Sequence, residues 1–171
     1  MKVAIIMGSN SDWPVLEAAE KTLKEFGVET EVVVASAHRT PDVVQNFAKG
    51  ARDRGVEVII AGAAAHLGGF IAAFTTVPVI GIPINATPLA GMDALLSFVQ
   101  MPSGVPVATM AINGAKNAAL FAIQILSVKY PELVEKLAEH RATMREEVRA
   151  KGEKLASMRG VPAQEFKDLH L

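Results

Sequence analysis

At 171 residues and 18.1 kDa, with half of its residues apolar, the chain is long enough for one filled core and too short for two independent domains. Seventeen Lys and Arg balance 18 Asp and Glu, so no global field favours nucleic acid or an anionic membrane, although a local basic site stays open. The absence of cysteine excludes a disulfide framework, thiolate metal sites and a cysteine nucleophile, and suits a reducing cytoplasmic setting.

From the N-terminus, short β-branched runs alternate with longer amphipathic stretches. Residues 3–7, 31–35, 56–61, 77–82 and 106–111 are the expected strands. Helical patterns at about 14–26, 41–54, 67–75, 90–98 and 114–127 separate them, the signature of repeated βαβ units. The apolar run through residues 1–7 is too short for a signal peptide and reads as the first strand. Continuous apolar runs such as Val58-Ile59-Ile60 suit strands covered on both faces, so a doubly wound parallel sheet is expected. The stretch 70–84 is broken by Thr75, Thr76, Pro78, Gly81 and Pro83 and cannot supply a membrane span.

Two helices are unusual. Between 115 and 126, Ala118, Ala119, Leu120, Phe121, Ala122, Ile123, Ile125 and Leu126 leave almost no polar face, which predicts burial all round, with cover from other subunits favoured over a central core helix of the single chain. After Pro131 a long helix to about 158 carries a seam at Leu133, Leu137, Met144, Val148 and Leu155 among charged residues. The expected organisation is a single catalytic domain over 1–171, with this helix as its C-terminal extension.

In an open parallel sheet, ligands bind beyond the carboxyl ends of the strands. The loop after the first strand reads Gly8-Ser9-Asn10-Ser11-Asp12, with Ser11 or Asp12 as helix cap, and its amides and hydroxyls can meet a phosphate. After the second strand comes Ser36-Ala37-His38-Arg39-Thr40-Pro41, with Thr40 as cap and Pro41 at the first helical position. His38 can donate and accept a proton within one cycle, and Arg39 can clamp a phosphate or carboxylate. The third loop, Gly62-Ala63-Ala64-Ala65-His66-Leu67-Gly68-Gly69, surrounds one imidazole with almost no other side chain, so backbone can approach a ligand closely. Segments 85–91 and 100–106 are expected to wall the site, whereas His140 and His170 are read as solvated.

Taken together, Met7-Gly8-Ser9-Asn10-Ser11-Asp12-Trp13, the run from Ser36 through Pro41, Ala64-Ala65-His66-Leu67, the stretch 99–104 and Lys116-Asn117-Ala118-Ala119 resemble the N5-carboxyaminoimidazole ribonucleotide mutase family over about residues 2–130. The resemblance implies an α/β, flavodoxin-like three-layer sandwich with a long C-terminal helix, a homo-octamer, and no metal or organic cofactor. It implies a small-molecule aminoimidazole ribonucleotide as partner, with neither nucleic acid nor membrane. Ser9, Ser11, Asp12, Ser36 and Arg39 would hold the substrate's phosphate and ribose. His38 would carry the proton, with His66 as the second catalytic histidine, and Ala63, Ala64, Ala65 and Leu67 would line the base and carboxyl group. The implied reaction moves a carboxylate from the exocyclic nitrogen to C4 of the same imidazole ring, without redox change.

Common bacterial members of that family carry two more glycines before the Ala-Ala-His-Leu segment and a proline after it. The short form here resembles archaeal-type mutases and also matches the loop length of the sister branch, which carboxylates aminoimidazole ribonucleotide directly with carbon dioxide. His66 and Arg39 are similar to the mutase branch. Two rivals share the scaffold: a flavodoxin-like flavin electron carrier, which one Trp and one Tyr serve poorly, and a non-catalytic sensor of a phosphorylated ligand.

Overall fold

The computed structural model describes residues 1–163, and His170 lies outside them. By its internal contacts the chain divides into two compact units, Met1–Tyr130 and Pro131–Leu171.

The first unit is built on five parallel strands: β1 (Lys2–Met7), β2 (Glu29–Val34), β3 (Val58–Ala63), β4 (Val79–Pro83) and β5 (Ala108–Thr109), ordered β2-β1-β3-β4-β5. Their register sets Ile5 beside Val32 on one side and Ile60 on the other, and Ile60 beside Ile80. β3 and β4 are buried at every residue, and β1 at all but Lys2, as their unbroken apolar runs require when both faces are covered. At the edge, β2 has no fully buried residue, only half-buried and exposed ones.

The covering helices are α1 (Trp13–Glu25), α2 (Pro41–Lys49), α3 (Leu67–Ala72), α4 (Met92–Val99) and α5 (Ala115–Ser127). α1 packs on α5 against one face of the sheet, while α2 and α3 pack together, with Phe98 of α4, on the other. Phe98 is the wedge of that second layer. A Cβ on Gly81 of β4 would come within 2.1 Å of its ring, and one on Gly68 of α3 within 2.5 Å, so both glycines exist to let the ring in. Burying such a ring, here 1% exposed, stabilises by about 3–5 kcal/mol as judged by truncation to alanine.

Element ends depart from the sequence reading where turns intervene. α2 stops at Lys49 rather than near 54, because Gly50 ends it and the chain then turns through Gly55 at φ 76°. The fifth strand shrinks to two residues. Pro106, upstream, has no amide to give a ladder, and downstream Met110 and Asn113 return their amides to β4 carbonyls as a loop.

α5 is covered from within the chain along one face. Ala115, Ala118, Ala119, Ala122, Ile123 and Leu126 form one face that is fully covered inside the single chain, the alanines allowing close approach to α1. The opposite face keeps Lys116, Asn117 and Gln124 exposed with Leu120 and Phe121 half-buried, so the chain by itself covers only one face of the helix.

The second unit is dominated by α6 (Glu132–Arg159), which begins at Pro131 and ends at Gly160 in the left-handed conformation. Leu133 is buried and Leu137 half-buried, but Met144, Val148 and Leu155 of the predicted seam are exposed. His140 is half-buried rather than solvated.

Candidate functional site

All three loops singled out in the sequence leave the carboxyl ends of β1, β2 and β3, which are adjacent strands, so they converge on one rim.

The first loop is a single 3-10 turn, Asn10–Asp12, followed directly by α1. Ser9 caps this turn, its hydroxyl accepting from the Ser11 amide at 3.3 Å and from the Ser11 hydroxyl at 2.8 Å. Asp12 occupies the position before α1 without a capping bond and is only 6% exposed. Burial pushes its carboxyl above the usual carboxylate range, against a smaller opposing hydrogen bond from the Ser9 backbone.

The second loop locks onto itself. Thr40 Oγ1 accepts from the Ser36 amide at 3.0 Å and donates to the Ser36 carbonyl at 3.1 Å. It therefore closes the loop instead of capping α2, a role that spacing alone does not reveal. Ser36 Oγ accepts the Arg39 amide at 3.3 Å. The Arg39 guanidinium reaches the first loop and donates to the Gly8 carbonyl at 2.8 Å. Gly8, Ser9, Asn10, Ser36, Arg39 and Thr40 then line a cleft of about 320 Å³, floored by the end of β2. One fixed guanidinium with unspent N–H donors, two serine hydroxyls and small residues suit a phosphate.

His38, the next residue along, faces a different space. Its Nε2 lies 3.3 Å from Nδ1 of His66, with the rings edge to face at 87°. With both rings neutral, one N–H lies between the two nitrogens and the other two ring nitrogens remain for a ligand. His66 holds φ at 58°, a left-handed conformation uncommon for a residue with a side chain, at the start of α3. The pair opens on a cleft of about 550 Å³ that Phe70, Ser97, Gln100, Met101 and Pro102 also line.

Of the third-loop residues, Ala64 and Ala65 are half-buried beside His66. Ala63 and Leu67 are withdrawn into the core at 5% and 1% exposure, so only their backbone can meet a ligand. The segment 100–106 supplies Gln100, Met101 and Pro102 to the histidine cleft, whereas 85–91 contributes to neither cleft. Phe70 and Ser97 were missed because both lie inside helices, where periodicity reads them as packing. Among the described residues, no three His, Asp or Glu side chains gather to hold a metal ion.

Comparison with known proteins adds the following. The sequence matches the family described as AIR carboxylase over residues 2–147. It is 56% identical to an N5-carboxyaminoimidazole ribonucleotide mutase of Pyrococcus horikoshii, covering 91% of this chain and 89% of that one, and 53% identical to the mutase of Thermotoga maritima, covering 90% and 91%. The fold superposes on a crystal structure of Treponema denticola PurE with a TM-score of 0.80 at 30% identity, over 90% of this chain and 98% of that one.

Proposed function

The chain belongs to the AIR carboxylase family, and from that premise we propose that it is an N5-carboxyaminoimidazole ribonucleotide mutase of purine biosynthesis, converting the N-carboxylated ribonucleotide to its C4-carboxylated isomer. The observation that carries the reading is the division of labour in one short loop: Arg39 faces an anion-sized cleft and His38 faces a second cleft, where it meets His66 at 3.3 Å. A ribonucleotide has the same two ends, a phosphate and a heterocycle.

In this reading Arg39, Ser9, Ser11 and Ser36 hold the phosphate, and buried Asp12 accepts from the ribose hydroxyls. The imidazole ring lies in the histidine cleft, with Ala64, Ala65 and the backbone of Ala63 and Leu67 along it. His38, entering as the imidazolium, gives a proton to the exocyclic nitrogen as its bond to the carboxylate breaks, leaving a neutral imidazole, an amine and carbon dioxide. The electron-rich C4 attacks the held carbon dioxide, and the proton on C4 returns to His38 as the ring regains aromaticity. Proton and carboxyl group are both conserved, so no outside reactant is needed. Holding carbon dioxide next to its nucleophile supplies much of the acceleration, as in other reactions made effectively unimolecular. His66 orients His38 and defines which of its nitrogens carries the proton.

The functional form is a cytoplasmic homo-octamer. Half-buried Leu120 and Phe121 on the outer face of α5, with exposed Met92, Leu96 and Val99 on α4, provide apolar surface for association. Light scattering after size exclusion is expected to give eight times the chain mass.

Incubating the protein with aminoimidazole ribonucleotide plus bicarbonate, and separately with the N-carboxylated ribonucleotide, tests the reaction. Faster appearance of the C4-carboxylated product from the second identifies the mutase. Faster appearance from the first would assign direct carboxylation instead.

A further inference from the structure

The histidine cleft has a second polar wall to which none of the roles above is given. Ser97 and Gln100 stand one turn apart at the end of α4 and both line the cleft, while Phe98 between them turns into the core. Ala37, Gly69, Phe70, Met101 and Pro102 complete the lining and offer no charged or hydrogen-bonding side-chain group beyond a thioether. Any polar group of a bound ring whose hydrogen-bonding valence the histidines leave open therefore meets Ser97, Gln100 or water.

The two groups are not equivalent. Ser97 Oγ donates its proton to the Ala94 carbonyl at 2.9 Å, so toward the cleft it can only accept. Gln100 supplies the only side-chain N–H donors on that wall. An ionised carboxylate only accepts, and an aromatic amine chiefly donates. The matching is thereby decided by valence: carboxylate to Gln100, amine to Ser97.

We propose that Gln100 is the residue by which this site distinguishes a carboxylated aminoimidazole ring from an uncarboxylated one, donating from its carboxamide to the carboxylate while Ser97 accepts from the ring amine. The assignment rests on the ring occupying the histidine cleft as described above. A neutral donor suits the chemistry. Lysine or arginine there would favour the ionised carboxylate over the uncharged carbon dioxide it must become, and binding the ground state more tightly does not speed the step.

The test uses the full-length protein and two ligands, the C4-carboxylated ribonucleotide as substrate in the reverse direction and aminoimidazole ribonucleotide as competitive inhibitor. Gln100→Glu replaces the donor with an acceptor of the same shape. It is expected to weaken the carboxylated ligand at least about tenfold while changing the uncarboxylated one less than about twofold, because a lost hydrogen bond to a charged group is felt only where the charge exists. Gln100→Ala should show the same order with a smaller ratio, and serves alone if the glutamate variant does not fold. Equal weakening of both ligands, or of neither, overturns the proposal. Wild-type protein that turns over neither ribonucleotide would instead overturn the functional reading, so the two failures are separable.

Discussion

The two ends of β3 carry polar clusters of opposite character. Before its first residue, Glu57 accepts from Lys129 at 2.6 Å and from the Tyr130 hydroxyl at 2.8 Å, tying the strand's entry to the end of α5. Burial alone would raise the Glu57 carboxyl, but those two hydrogen bonds and the lysine's charge hold it below the usual range, and Lys129 is raised in return. At the other end, Asp12 is buried with its carboxyl raised, His66 sits in an uncommon backbone conformation, and Arg39 keeps donors unspent. At the strand's entry both donors close on one oxygen, Glu57 Oε1, while its buried Oε2 takes no hydrogen bond from the described residues; at the rim Arg39 keeps donors free toward an open cleft.

Substitutions can break that contrast, and the largest effect is expected at His38. His38→Asn should lower kcat by about 10²–10⁴-fold with an unchanged melting curve, because an amide cannot carry the proton. A fall in stability of similar size would make His38 structural and undo the distinction.

Gly81→Ala acts between the two ends. Its Cβ would meet the Phe98 ring at 2.1 Å, and overpacking there should cost about 1–3 kcal/mol in denaturant unfolding. Since α4 also brings Ser97 and Gln100 to the histidine cleft, turnover should fall as well.

Asp12→Asn is predicted to separate function from stability in the opposite sense. A carboxyl raised in the folded state contributes most below its ordinary value of 3.8 and loses that contribution as pH rises through the folded value. At neutral pH the variant should therefore melt higher than wild type while binding the ribonucleotide about tenfold less tightly. Calorimetry with and without ligand checks both halves.

The smallest effect belongs to Glu57→Gln. With its carboxyl lowered in the folded state, Glu57 contributes stability above its ordinary 4.5 and loses it as pH falls through the folded value. Wild type should melt slightly higher than the variant at neutral pH, and the two curves should merge in acid. Turnover should not change.

Much of the rim was legible because periodicity located β1, β2 and β3, and the residues after a parallel strand have only one place to go. His38, Arg39 and His66 were found that way. What escaped depends on contacts between distant residues. Thr40 and Asp12 stand at the cap positions of α2 and α1, but neither side chain makes the capping bond: the Thr40 hydroxyl returns to Ser36, and the bond at the first loop comes from Ser9 to the 3-10 turn. The side chains of Leu67 and Ala63 are sent inward by the first turn of α3 and the strand's alternation, leaving backbone alone beside His66, a distinction adjacency in sequence does not make. The apolar count of α5 does not reveal that Lys116, Asn117 and Gln124 fall on one face, the one the chain itself leaves uncovered.

The alternation within the second loop has a further consequence. Ser36, Arg39 and Thr40 border one compartment while Ala37 and His38 border the other, so a few residues of backbone form a partition common to both. A molecule that straddles this wall is gauged for length as much as for chemistry, and the free heterocycle or ribose phosphate alone would each leave half of the gauge unread.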